Sequence, residues 1–231
     1  MPLKERILFE DNHLLIINKL AGELVQGDHT GDRPLLEKAR EYIRDTYNKP
    51  GNVFCGLVHR LDRPTSGIVV FAKTSKALAR MNKIFEQRDV AKTYYAVVQT
   101  KPSKAEDRLV HYLKKDAKKN KSFVRPAGDK QAKKAELTYR IKGESQRYFL
   151  IEVELHTGRH HQIRAQLAAI GSPIKGDLKY GFARSNHDAS ISLHAGRIQF
   201  KHPVGAELVD IKAINPGEDA IWRIFNPKIL E

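Results

Sequence analysis

The segment His59-Arg60-Leu61-Asp62-Arg63-Pro64-Thr65-Ser66-Gly67 sets one carboxylate between two arginines, within a stretch of turn-forming residues. Nearby positive charge favours the ionised form of a carboxylate, so Asp62 is expected to stay charged. Two readings fit: an arginine-clamped structural turn, or a carboxylate available as nucleophile or base. Arg159 and Arg164 fall at an expected strand-to-helix junction, where amide groups and positive side chains suit an anion; one of them is a candidate partner for Asp62. Tyr94 adds an aromatic face of the kind that stacks an unpaired base.

Other chemistries fit poorly. His156, His160, His161, His194 and Cys55 contain no closely spaced cysteine pair, and the paired histidines alternate with Gly and Arg. No metal is therefore expected. No Gly-rich run ends in Gly-Lys-Ser or Gly-Lys-Thr, and Ser66 lacks Gly-x-Ser-x-Gly surroundings. No cofactor motif is present.

The formal net charge of +14, from 41 Lys+Arg against 27 Asp+Glu, favours polyanions through counterion release. RNA, DNA and an acidic membrane surface are the partners this admits. No apolar run approaches the roughly 18 residues a spanning helix needs, and the N-terminus has no signal-peptide core. A single cysteine excludes an internal disulfide and fits a reducing compartment. The expectation is a cytoplasmic nucleic-acid protein, monomeric and without membrane contact.

The elements that must position these residues follow from periodicity. Gly67–Ala72 has the length and β-branched content of a buried strand. Arg6–Glu10 and Leu14–Asn18 read as strands joined by Asp11 and Asn12, followed by a polar loop over Asp28–Arg33 and a helix opening at Pro34. Thr74 or Ser75 can cap a second helix. Thr93–Val98 reads as a strand with Tyr94, Ala96 and Val98 on one face and Tyr95 and Val97 on the other. Lys101–Lys134 reads as the least structured region; its run His111–Lys121 fits either a solubilising hairpin tip or an RNA-gripping loop. Ala135–Ile141 and Arg147–Leu155 suggest a central antiparallel pair. Ala165–Ile170 reads as a helix capped by Gly171. Ser190–Ala195 reads as another strand, which Arg197–Phe200 continues or pairs with, before a last strand at Leu208–Ala213 and a short helix at Ala220–Phe225. No repeat, linker or domain boundary stands out, and the expected class is α+β around a mainly antiparallel sheet.

His59-Arg-Leu-Asp62 followed by Thr65-Ser-Gly67, Lys92-x-Tyr94-x-Ala96, Gly158-Arg-x-His-Gln-Ile-Arg164, Leu193-His-Ala195 and His202-Pro203 occur in that order. With Glu10-Asp-Asn and Asn18-Lys19 at the start, this pattern resembles the RNA pseudouridine synthases of the RluA type from about Ile7 to beyond Val209. One departure is Leu20, where the family usually has proline. The resemblance implies a pseudouridine synthase fold, in which a bent, mainly antiparallel sheet with flanking helices holds Asp62 in a central basic cleft. It implies one catalytic domain over residues 1–231, with no room for the small N-terminal RNA-binding domain that many relatives carry.

The implied activity is isomerisation of specific uridines in ribosomal or transfer RNA without cofactor, by base flipping. Asp62 would be the catalytic residue, Tyr94 would stack on the target base and help remove a proton from it, and Arg164 would pair with Asp62. Arg60 is the candidate for filling the stack after the nucleotide flips out, or else forms a salt bridge with a neighbouring acid. Arg159 is assigned to phosphate, His59, Arg63 and Lys92 to RNA contact, and Ile163 and Leu193 to the core or pocket wall. The alternatives are a catalytically inactive RNA-binding or ribosome-assembly protein of the same fold, and a basic DNA-binding module. The latter lacks any helix-turn-helix or zinc-finger pattern.

Overall fold

The computed structural model describes the whole chain except residues 29, 206, 214–218 and 231 and the side chains of residues 226–230. One position of the polar loop expected over Asp28–Arg33 thus lies outside the described residues. The chain forms two compact units, residues 1–90 with 195–217 and residues 91–194 with 218–231. The first begins with a 3₁₀ turn (Leu3–Arg6), β1 (Ile7–Glu10), β2 (Leu14–Lys19), α1 (Leu35–Thr46), β3 (Gly56–Leu57), β4 (Ser66–Ala72) and α2 (Ser75–Gln87). Then come β5 (Val90–Val98), β6 (Glu106–Asp116), β7 (Lys121–Arg125), β8 (Lys133–Glu144), β9 (Phe149–Leu155) and α3 (Gln162–Ala169). β10 (Leu193–Lys201) leads back into the first unit, where β11 (Leu208–Lys212) follows, and α4 (Ala220–Leu230) belongs to the second. Two of the three crossings, at Val90/Ala91 and at His194/Ala195, fall inside strands; the third, after residue 217, lies outside the described residues. No Pro/Gly-rich linker marks these two, so composition shows no boundary there.

In the first unit β2 pairs antiparallel with β1 and β4, and β11 pairs antiparallel with β10. Every residue of β4 is buried, the behaviour expected of an uninterrupted apolar run with both faces covered. Leu14, Ile16, Ile68, Val70, Met81, Ile198 and Phe200 share one core cluster. Thr74 caps α2, its hydroxyl accepting the Ala77 amide at 3.1 Å.

The second unit contains the antiparallel succession β5-β9-β8-β6-β7. Here the structure corrects the reading of Lys101–Lys134. One long strand, one short strand and the start of a third occupy it, and the basic run forms the β6–β7 hairpin. Lysine density hides the alternation that places Leu109 and Leu113 in the core. The exposed lysines keep their charges in water while their stems cover the strands. Along β5 the alternation is as expected: Tyr95 and Val97 pack with Leu150, Ile221, Trp222 and Phe225.

Gly67 has φ +115°, and a Cβ there would lie 2.3 Å from the Ala195 carbonyl oxygen and 2.6 Å from its nitrogen. Both backbones belong to the packed first unit and have no room to part. Gly67→Ala is therefore expected to destabilise the fold by at least about 3 kcal/mol, measured by urea denaturation; a loss below about 1 kcal/mol would contradict the close approach.

Candidate active site

Asp62 opens a tight turn in which the Thr65 amide donates to the Asp62 carbonyl at 3.0 Å, with Arg63 and Pro64 between them. Under this turn lies Lys19, fully buried at the end of β2. Its ammonium donates to the carbonyls of Thr65 (2.6 Å), Leu20 (2.9 Å) and Arg63 (3.1 Å). Three donors meet three acceptors, the full capacity of a lysine. Burial pushes the Lys19 pKa down to about 7, against the pull of Glu23 and Asp62.

Glu23 organises the other side of the same turn. Its carboxylate accepts from Arg6 at 2.6 and 3.2 Å, from Lys38 at 2.8 Å and from the Leu20 amide at 3.1 Å. Burial raises its pKa, but the hydrogen bonds from Arg6 and Lys38 outweigh that and hold it at about 2. The Leu20 amide is a donor that proline lacks. At the position where the family usually has proline, this chain thus ties down its turn by a hydrogen bond to Glu23.

Around Asp62, which is half-buried, Leu61 turns inward and Arg60 is exposed. Arg63 directs its guanidinium to Asp32 (2.6 Å) and to the Gly22 carbonyl (3.1 Å). Its own carbonyl accepts from the Gly22 amide at 2.8 Å. His59 accepts the Val70 amide on Nε2 at 3.2 Å and stacks on Phe85 with centroids 5.1 Å apart. The ring of His59 and the guanidinium of Arg63 are therefore both engaged in holding the protein together.

In the second unit Tyr94 is buried on β5, opposite Val153 of β9, and Lys92 is half-buried two residues before it. Arg164 stands in the first turn of α3, its side chain 6% exposed, and forms a two-pronged ion pair with Asp177 at 2.7 and 2.9 Å. Ile163 and Leu193 are buried. The loop before α3 is fastened by Gln162. That side chain accepts from the Arg159 amide (3.0 Å) and the Thr157 hydroxyl (2.7 Å), and donates to the Glu136 carbonyl at 3.0 Å. The Arg159 amide, expected as part of an anion site, is occupied by Gln162, and Arg159 Nε donates to the Lys134 carbonyl at 3.0 Å.

His160 and His161 stack with centroids 3.8 Å apart, but each of the histidines considered has partners of its own. His160 meets Ser122 and Asn120, His161 meets Tyr180, His156 meets Thr138, and His194 is buried beside Trp222. Burial pushes Cys55 up to about 12, away from thiolate chemistry. Lys19, Glu23, Asp177 and Tyr180 are the contributors that sequence reasoning missed. Lys19 was visible only as one letter of a motif, and the other three carried no spacing signal.

Residues 13–169 match the RNA pseudouridylate synthase family. An uncharacterised RNA pseudouridine synthase of Bacillus subtilis is 35% identical over 215 residues, 92% of this chain and 69% of that protein. The tRNA pseudouridine synthase C of Haemophilus ducreyi is 34% identical, with 95% and 94% of the two chains covered. The ribosomal large subunit pseudouridine synthase D of Zymomonas mobilis is 32% identical over 94% of this chain and 70% of its own. In fold, the chain is similar to human RNA pseudouridylate synthase domain containing 4, with a TM-score of 0.79, 20% identity, and 99% and 94% of the chains covered.

The Lys19 pKa lies below the 10.5 of a free lysine, so between about pH 7 and 10 the unfolded chain binds more protons and stability rises with pH. Relative to Lys19→Met, wild-type protein should gain up to about 1.4 kcal/mol per pH unit in that window. Paired denaturant titrations from pH 6 to 10 measure this; parallel curves would remove Lys19 as the titrating group.

Proposed function

The chain belongs to the RNA pseudouridylate synthase family, and on that premise we propose that it isomerises particular uridines of ribosomal or transfer RNA, with Asp62 as the reacting carboxylate. The observation that carries the assignment is the turn bearing Asp62, whose backbone gives two carbonyls, of Arg63 and Thr65, to one buried ammonium. A reacting group fixed by its supports needs no reorganisation when substrate arrives.

Uridine and pseudouridine have the same atoms. The bond from ribose to the uracil nitrogen breaks, the base turns, and a bond to carbon replaces it, with a proton leaving that carbon and one returning to nitrogen. No electron donor or acceptor is required. Asp62 attacks or deprotonates the sugar, or adds to the base. Tyr94 stacks on the uracil and assists the proton's departure, and Arg164 supplies fixed positive charge. Base flipping exposes the target, and Arg60, an exposed neighbour of Asp62, fills the gap left in the stack.

Grip on RNA comes from basic surface. The β6–β7 hairpin carries Lys118 and Lys119 exposed at its tip, and the cations of Lys119, Lys121 and Arg125 lie between 5.4 and 5.9 Å from the centre of the Phe123 ring. Cations around an aromatic face suit phosphate and base together. Arg159, Arg63 and Lys92 add phosphate contacts, and His59 supports the Asp62 segment from below. The names of the Haemophilus and Zymomonas relatives make transfer and large-subunit ribosomal RNA the two substrates to test. The protein acts as a monomer in the cytoplasm, without cofactor.

Pseudouridine mapping of cellular RNA with the protein present, deleted, or replaced by Asp62→Asn tests this reading. One or a few sites should vanish in both altered strains. With purified protein and the matching transcript, Asp62→Asn should slow isomerisation by at least about 1,000-fold and leave RNA affinity within about threefold. Equal collapse of binding and turnover would make Asp62 a structural residue, and binding without isomerisation by wild type would favour an RNA-binding protein of this fold.

A further inference from the structure

Arg164 is anchored far more elaborately than a surface phosphate ligand requires. Asp177, 1% exposed, meets it with both carboxylate oxygens. The Tyr180 ring lies against the same guanidinium, 5.1 Å from its carbon. One short 3₁₀ turn delivers both groups: the Asp177 carbonyl accepts the amides of Tyr180 (3.1 Å) and Phe182 (3.0 Å). Gly176, at φ +86°, lets the chain enter this turn where a Cβ would strike Asn186 and the Ser190 carbonyl.

Tyr180 is itself held from behind. Its hydroxyl accepts the Ser122 amide at 2.8 Å and lies 3.2 Å from the Ser122 carbonyl and 3.0 Å from His161 Nδ1. Ser122 belongs to β7, the last strand of its succession, so one phenol occupies both backbone groups of an edge residue. His161 is kept neutral, its pKa driven to about 2 by burial and by the charge of Arg164, and it adds no second cation beside the guanidinium.

A buried ion pair contributes little net stability compared with apolar residues of the same shape. Its distinctive effect is to fix where a charge sits and how it is turned, because the planar guanidinium fork accepts a carboxylate in one geometry. We propose that Asp177 and Tyr180 are positioning residues that set the orientation of Arg164 for isomerisation, with Ser122 of the basic hairpin as the anchor of Tyr180. This rests on the assignment of Arg164 to the reaction made above.

The test combines single-turnover isomerisation, RNA affinity and the nitrogen-15 resonance of the Arg164 Nε–H group. In wild type that proton should be resolved and protected from exchange. Asp177→Asn should abolish the protection and slow single turnover about 100-fold, with RNA affinity changed by no more than about threefold. Tyr180→Phe keeps the ring against the guanidinium and should lose less than Tyr180→Leu.

In an Arg164→Met background, adding Asp177→Asn should cost no more than about threefold further, and this double variant also covers the case in which Asp177→Asn alone fails to fold. Wild-type rate in Asp177→Asn, or the same 100-fold loss in the Arg164→Met background as in wild type, overturns the proposal. Should wild type isomerise no RNA while the Arg164 proton behaves as expected, the isomerase assignment falls and the clamp on Arg164 stands.

Discussion

A lysine ammonium with no exposed surface is the constraint on which the first unit depends. Moving a charge out of water costs several kcal/mol unless partners replace its hydration. For Lys19 those partners are three backbone carbonyls, of Leu20, Arg63 and Thr65. Carbonyls 44 and 46 residues away in sequence must converge on one nitrogen, and that convergence dictates the path of the turn carrying Asp62. The tight bonding of Glu23 to Arg6, Lys38 and the Leu20 amide fixes the segment that follows Lys19. The half-buried carboxylate of Asp62 is thereby borne on a backbone that the interior of the unit holds in place.

The same logic, with a different residue type, governs the second unit. There the buried charge is a guanidinium, and its partners are side chains: the Asp177 carboxylate and the Tyr180 ring. Lysine suits a cage of carbonyls because its three donors point away from a single nitrogen. Arginine suits a carboxylate because its donors form a planar fork. The two cations are not interchangeable at these places. Gln162 has the intermediate task of joining the Thr157–Arg159 loop to the β8 backbone at Glu136 without bringing in another charge.

A chain with net charge +14 divides its cations between the interior and the surface. Lys19, Arg6 and Arg164 are buried and paired within their units. Lys118, Lys119 and Arg125 lie exposed on the β6–β7 hairpin, whose edge residue Ser122 is tied to Tyr180. Salt screens the second group far more than the first. Arg63 shows how the groups overlap, since its half-exposed guanidinium bridges Asp32 and the Gly22 carbonyl beside Asp62.

Much of this was legible in the sequence. The apolar run Gly67–Ala72 announced a buried strand, Thr74 or Ser75 announced a helix cap, and the alternation Tyr94-Tyr95-Ala96-Val97 put the two tyrosines on opposite faces, of which the structure turns that of Tyr95 toward α4. Ordered motifs around Asp62, Tyr94 and Arg164 pointed to the family. The strands of the basic hairpin were not legible, since lysines with their charges in water mask the period-two pattern of Leu109 and Leu113. Nor did sequence distinguish cations with outward tasks from buried ones: Lys19 and Lys118 are the same letter. Partners far along the chain decide that difference. Leu20 could be flagged only as a missing proline until Glu23 was seen to take its amide. Asp177 and Tyr180 carried no spacing signal until the fold brought them against Arg164. Residue type and spacing thus determined the chemistry available and the family, whereas burial and long-range pairing, which exist only once the chain is folded, decided which charges are held still and by what.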